Sequence, residues 1–276
     1  MPELPEVQII VDFLKTQLIG KKIVATKVFY EPAVKNTKEF QKIEQTTILD
    51  IQRKGKFLLF FLTQELVLIG HLRMEGKLFI KPCDEPKHKY EHFAIILEDK
   101  SSLRYYDFRK FGRFEVKNQN IFLTQTTLHQ LALDPFEINP VVLYQKILKT
   151  KSALKKVLLN QKIISGLGNI YVNEVLFLVK LHPETKACEL SLEQVQEIVT
   201  ISQKVLTKAI KLGGTTVSTF ESQPGIIGYF QNKLQIHGKV NKPCINCQTK
   251  IIKIKVGGRG TYLCPVCQNH NPNKEL

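Results

Sequence analysis

The sequence predicts an α+β chain with several domains: a leading helix, a β-rich first half, a helical second half and a cysteine-bearing hairpin at the end. Three observations predict this. Short β-branched and aromatic runs, separated by polar turns, fill residues 22–116. Past Leu133-Asp-Pro-Phe-Glu-Ile-Asn-Pro140 the apolar spacing becomes helical. The last forty residues are hydrophilic and carry two Cys-x2-Cys pairs. At 276 residues the chain can bury a full core and hold more than one domain.

The leading helix is expected from Pro5 to Ile19. Val7, Ile10, Val11, Leu14 and Leu18 fall at helical spacing, Pro5 suits the first turn and Gly20 the stop. Strands are expected at 57–62, 66–70, 78–80, 93–97, 102–106 and 114–116. Their even spacing suits a β-sandwich or barrel better than βαβ units. The two prolines near residue 135 mark a linker. Residues 141–148 and 152–159 read as short amphipathic helices. Residues 191–212 give the clearest helix, with Ser191 and Gln194 as a capping box and Gly213-Gly214 as its end. A glycine-rich polar stretch, 213–228, follows.

Net charge is +15, from 40 Lys and Arg against 25 Asp and Glu. Such an excess suits a polyanionic partner. Lysine gives diffuse phosphate attraction and arginine gives bidentate contacts, so the few arginines are worth placing individually. No run of about 20 apolar residues predicts a membrane span, and the acidic, proline-punctuated start does not resemble a signal peptide. The expectation is a soluble, cytoplasmic protein without a disulfide framework.

The first residues, Met-Pro-Glu-Leu-Pro-Glu-Val, offer chemistry. Removal of Met1 would leave Pro2 as a secondary amine able to attack an aldehyde-like carbon and form an iminium. Glu3 would stand beside it for proton transfer. Both precede a helix N-terminus, whose positive end disfavours a second positive charge and favours the neutral amine. Many chains carry proline at position 2 with no such role, so the dipeptide alone leaves both readings open.

Cys244-x2-Cys247, sixteen residues, then Cys264-x2-Cys267 is a four-thiolate zinc pattern. With every position filled by cysteine, the one ion is structural. Gly257-Gly258-Arg259-Gly260 lies at the intervening hairpin tip, where an arginine can clamp a phosphate or simply complete a turn. Cys83 and Cys188 have no partners by spacing. Gly166-Leu-Gly-Asn169 leads into another helix that Asn169 is expected to cap, and amides at such a terminus can bind phosphate.

Taken in order, these segments resemble the formamidopyrimidine-DNA glycosylase family of bacterial base-excision repair. The resemblance runs through Pro-Glu-Leu-Pro-Glu-Val at 2–7, Arg-Lys-Gly-Lys-Phe at 53–57 and Gly-His-Leu-Arg-Met-Glu-Gly at 70–76. It continues through Asp-Phe-Arg-Lys-Phe-Gly at 107–112, Gly-Leu-Gly-Asn-Ile-Tyr at 166–171, Gly-Gly-Thr-Thr at 213–216 and the cysteines. It implies an N-terminal β-sandwich catalytic domain (1–132), a helix-two-turn-helix DNA-binding domain (133–236) and a C-terminal β-hairpin zinc finger (237–276). A monomer acting on damaged double-stranded DNA is implied as well.

The implied reaction begins with a damaged purine flipped from the stack. Pro2 attacks C1′ of the deoxyribose and displaces the base, and the iminium permits β- and then δ-elimination. Glu3 resembles the proton donor and Lys56 the lysine acting with it. Met74, Arg109 and Phe111 match the residues that fill the gap. Phe111 wedges a base step, Met74 packs softly and Arg109 meets the orphaned base. Arg109 and Phe111 share a face if their segment is extended. His71, Lys155, Asn169 and Arg259 match phosphate contacts, with Arg259 counted in the catalytic set too. Glu6 and Glu174 match carboxylates near the site, or serve as helix-terminal glutamates.

The loop expected to close over the base departs from the family. Ser218 stands where relatives often carry a basic residue, and Ser222-Gln-Pro-Gly225 replaces a segment that often bears Asp-Gly. Lesion preference is therefore the least transferable property. Two other readings share much of this pattern: a pyrimidine-directed endonuclease VIII-like enzyme, and a zinc-stapled DNA-binding protein without catalysis.

Overall fold

The computed structural model describes residues 2–215 and 228–269. Ser218 and the 222–225 segment lie outside the described residues, as does Thr216. The chain forms two compact units: residues 1–129 with 212–229, and residues 130–211 with 230–276.

The first unit opens with α1 (Leu4–Leu18), whose Val7, Ile10, Val11, Leu14 and Leu18 are all buried. Then come β1 (Ile23–Val28), α2 (Thr37–Gln41), β2 (Ile48–Lys54), β3 (Phe57–Leu62) and β4 (Leu66–His71). They are followed by β5 (Lys77–Pro82), β6 (Glu91–Leu97), β7 (Ser101–Tyr106) and β8 (Arg113–Asn118). Two four-stranded sheets result, in the orders β1-β6-β7-β5 and β2-β3-β4-β8, with antiparallel neighbours. This is the sandwich alternative of the sequence reading. One core joins α1 to inward residues of both sheets, among them Ile51, Phe60, Leu68, Phe93, Ile95, Leu103 and Phe114.

β1 and β2 were not among the strands expected individually. Each carries a register irregularity, between Ile23 and Ala25 and between Ile48 and Asp50. Only Ile23 of β1 and only Ile48 and Ile51 of β2 are buried, so neither shows the two-residue alternation by which a half-buried strand is recognised.

Register places two crossovers side by side. Residues 72–76 run from β4 to β5, and residues 107–112 run from β7 to β8. His71 pairs with Arg113, and Lys77 pairs with Tyr106.

The second unit contains α3 (Pro140–Ile147), α4 (Leu154–Leu159), α5 (Asn169–Leu178), α6 (Leu192–Lys211) and the hairpin β9 (Ile252–Val256) with β10 (Arg259–Leu263). Ser191 and Gln194 make the expected reciprocal cap before α6, at 3.0 and 3.3 Å. α5 is buried on nearly every side from Ile170 to Phe177, as an all-round apolar helix must be. Phe177 and Ile236 share a core with Cys244, Ile251 and Cys264, so the helices and the cysteine hairpin pack together.

Arg104 is an ionic staple inside the sandwich unit, 3% exposed. Its guanidinium donates to the carbonyls of Pro82 and Glu85, both at 2.8 Å, and reaches Glu91 at 3.3 Å. It thereby folds the 82–90 connection against the sheet. Arg104→Met strands the Glu91 carboxylate and frees these carbonyls, so the unit loses about 3–5 kcal/mol in denaturant unfolding. Amide exchange rises first in residues 82–90; a loss under 1 kcal/mol (about the worth of one exposed pair) contradicts the staple.

Candidate functional site

The N-terminal residues are held by their own helix. Glu3 is the N-cap of α1, in a reciprocal capping box with Glu6. Glu6 Oε2 accepts the Glu3 N–H at 2.9 Å, which fixes the backbone next to Pro2. Its other oxygen accepts the Thr215 N–H at 2.9 Å and the Thr215 hydroxyl at 3.0 Å. One carboxylate therefore joins the residues beside Pro2 to Thr215, just past Gly213-Gly214. Pro2, Glu3 and Glu6 are all buried.

Lys56 sits at the β2–β3 hairpin, after Gly55 in the left-handed region (φ 57°), and is only 6% exposed. The turn is braced by Arg53, which donates to Gln8 Oε1 and to the Gly55 carbonyl, each at 2.9 Å. The next residue, Phe57, meets His71 edge-on with ring centroids 4.6 Å apart. His71 Nδ1 accepts the Arg73 N–H at 3.0 Å, so the neutral ring carries its proton on Nε2. Burial first, then the charges of Arg73 and Lys56, pull the His71 pKa down to about 3. The imidazole is neutral at physiological pH and can donate to a phosphate without adding charge.

Arg109 and Phe111 do not lie on an extended segment. Residues 107–112 form a turn in which Lys110 takes φ 60°, and the Arg109 guanidinium lies over the Phe111 ring at 4.8 Å. The two are neighbours through stacking rather than through strand alternation. Glu75, beside Met74, approaches Arg109 at 4.0 Å, which brings the 72–76 crossover to the same place. Phe111 is 47% exposed, which leaves its ring free to insert.

In the second unit, Lys155 differs from expectation. Its ammonium is fully buried and donates to Asn173 Oδ1 at 2.8 Å, Thr261 Oγ1 at 2.9 Å and the Gly260 carbonyl at 3.1 Å. A lysine so enclosed ties α4 and α5 to β10 and does not reach a phosphate. The cap of α5 is Gly168; Asn169 is the first helical residue and its amide donates to the Gly260 carbonyl at 3.1 Å. Both residues hold the hairpin that ends in exposed Arg259, after Gly257 and Gly258 at positive φ. Glu174 is also a clamp, accepting the N–H groups of Gln235, Ile236 and His237 at 2.8–3.0 Å.

The sulfurs of Cys244, Cys247, Cys264 and Cys267 lie within 4.8 Å of one another. Individual separations are 3.8 Å for Cys244–Cys267 and 3.4 Å for Cys247–Cys264. Thiolates about 2.3 Å from a tetrahedral zinc stand about 3.8 Å apart, so the set fits one zinc ion with no open coordination position.

Family models match three successive stretches of the chain. Residues 1–114 match the model of the formamidopyrimidine-DNA glycosylase N-terminal domain, 131–221 that of its H2TH domain, and 241–269 the zinc finger found in FPG and IleRS. A formamidopyrimidine-DNA glycosylase of Mycoplasma mobile is 42% identical over 274 residues, covering 98% of this chain and all of the relative. One from Ureaplasma parvum is 42% identical over 275 residues, with the same coverage. The chain belongs to the formamidopyrimidine-DNA glycosylase family. The Lactococcus lactis Fpg in complex with abasic-site DNA superposes with a TM-score of 0.91 at 36% identity, over 97% of this chain and all of that one. The same enzyme with DNA containing N7-benzyl-Fapy-dG also superposes at 0.91.

Within this member of the family, Pro2, Glu3, Lys56, His71, Met74, Arg109 and Phe111 belong to the sandwich unit, and Asn169, Lys155, Arg259 and the cysteines to the other. Sequence reasoning missed Asp107, Tyr105, Asn173 and His237. Asp107 lay inside a quoted motif, so its signal was present. Asn173 and His237, 2.7 Å apart, are separated by 64 residues and gave none.

Burial also lowers the His237 pKa, to about 4, helped by Lys155 and Lys253. An unfolded histidine takes its proton near pH 6.5; these take theirs near 3 and 4. Unfolding thus absorbs protons between those values. Stability falls as the pH drops through that window and is unaffected above it, by about 1.4 kcal/mol per pH unit for each histidine. Near pH 5, urea unfolding is steeper in pH for the native chain than for His71→Gln by about one proton; equal slopes contradict a neutral, half-buried His71.

Proposed function

We propose that this chain is a bifunctional DNA glycosylase and abasic-site lyase that excises oxidised purines, 8-oxoguanine and formamidopyrimidines, from duplex DNA. The observation that carries the reading is the buried Pro2-Glu3 start, locked by the Glu6 capping box at the head of α1. A binding protein has no use for an N-terminal secondary amine held this way.

With Met1 removed, the Pro2 nitrogen attacks C1′ of the everted nucleotide, and the C1′–N bond to the base breaks. Glu3 and Lys56 handle the protons. The iminium between Pro2 and C1′ acidifies C2′, so loss of a C2′ proton expels the 3′-phosphate; a second elimination expels the 5′-phosphate. Neutral His71 and the cationic Arg259 contact the flanking phosphates. Asn169 and Lys155 act mainly by placing the Arg259 hairpin. Met74, Arg109 and Phe111 fill the vacated stack. The zinc ion, held by Cys244, Cys247, Cys264 and Cys267, supplies structure to that hairpin.

We assign the domains as residues 1–132, 133–236 and 237–276, the last two sharing the core around Phe177. The protein works as a monomer in the cytoplasm, drawn to DNA by its +15 charge. Among the described residues no helix is long and apolar enough to cross a membrane.

Borohydride added during reaction with an 8-oxoguanine duplex reduces the iminium to a stable amine. Protein lacking Met1 forms this covalent complex, and protein retaining Met1, whose Pro2 nitrogen is an amide, does not. Absence of an adduct from processed protein overturns the lyase reading.

A further inference from the structure

Met74, Arg109 and Phe111 come from two separate crossovers, and an element between them holds both. Tyr105 is fully buried and Asp107 is 1% exposed. The Tyr105 hydroxyl donates to Asp107 Oδ2 at 3.0 Å. The same oxygen accepts the N–H groups of Phe111 and Gly112, each at 2.8 Å, and Oδ1 accepts the Arg109 N–H at 3.0 Å. One carboxylate therefore gathers three amides of the 107–112 turn around the left-handed Lys110. The hydroxyl in turn is seated between glycines of both crossovers. A Cβ on Gly112 would stand 1.7 Å from it, and one on Gly76 would stand 2.6 Å from it. Gly76 also closes the 72–76 turn by donating to the Leu72 carbonyl at 3.1 Å.

We propose that Asp107 and Tyr105 are positioning residues that fix Met74, Arg109 and Phe111 as one preorganised probe. They thereby govern expulsion of an intact base from the stack more than the chemistry at the sugar. This deepens, and rests on, the function proposed above. A base leaves behind a gap; side chains already in place fill it without losing conformational freedom at that moment. An abasic site has no base to expel, so its cleavage depends less on the probe.

The atoms of the pair make the dependence specific. In Asp107→Asn the amide nitrogen must replace one carboxylate oxygen, and it then faces a backbone N–H that it cannot accept. The arrangement that keeps Phe111 and Gly112 satisfied abandons Arg109. Tyr105→Phe keeps the ring in the Phe93–Phe114 core and removes a single donor.

The test compares native protein, Asp107→Asn and Tyr105→Phe on two duplexes, one with 8-oxoguanine and one with a preformed abasic site, under single turnover. Asp107→Asn slows 8-oxoguanine excision by about 10²-fold, the scale of a misplaced positioning group. Tyr105→Phe slows it by about 5- to 10-fold, the worth of one hydrogen bond. Cleavage at the abasic site stays within about 3-fold of native for both. In the free protein, the Arg109, Phe111 and Gly112 amides are protected from exchange; in Asp107→Asn the Arg109 amide becomes unprotected, while Phe93 and Leu103 remain protected. Native excision rates in both variants overturn the proposal. So does an equal loss on both duplexes accompanied by a general loss of protection. Native protein that leaves 8-oxoguanine untouched contradicts the proposed function instead; the exchange comparison then still decides whether Asp107 holds the turn.

Discussion

The site depends first on the two oxygens of Glu6. One holds the Glu3 N–H, and the other holds the backbone and hydroxyl of Thr215. A chain terminus ordinarily frays. Here the terminal residues are buried because α1 lays its apolar stripe on β2 and β3 and its cap closes on itself. Gly214 leaves room for that carboxylate: a Cβ there would stand 3.0 Å from Glu6 Oε1. Sequence, cap and packing thus combine to hold the main-chain nitrogen that we propose as the reactive group. A lysine could offer a primary amine, but its long side chain would have to be ordered in the act of binding.

The same device recurs away from the terminus. Asp107, Glu174 and Arg104 are buried charged groups whose partners are mostly backbone atoms of loops. Lys155 is buried as well, held by side chains of α5 and β10 and one carbonyl. A buried charge is costly unless fully paired, so each fixes its loop in one arrangement. The positive charges that favour a polyanion lie elsewhere, on exposed lysines that give attraction without geometry. Positioning is done by buried ions and attraction by exposed ones.

That division explains what was legible in the sequence. Helices α1 and α6 were readable because their apolar spacing and caps are local. The cysteine site was readable because zinc imposes ligand spacing. β1 and β2 were hidden because they bury few residues and these do not alternate. The 107–112 turn was not foreseen because its shape comes from Asp107 collecting three amides, which no periodicity encodes. Lys155 read as a phosphate contact because its neighbours Asn173, Gly260 and Thr261 are distant in sequence; only folding shows that its charge is consumed inside. Asn169 read as a cap although Gly168 takes that position, leaving the asparagine to bond the hairpin.

The central claim is that the Pro2 nitrogen, and no lysine, is the atom that bonds to C1′. Peptide mapping by mass spectrometry of the borohydride-reduced complex tests it most directly. The account predicts the sugar remnant on the peptide beginning at Pro2, attached to its nitrogen. A remnant on Lys56, or on any other lysine with Pro2 unmodified, would contradict it.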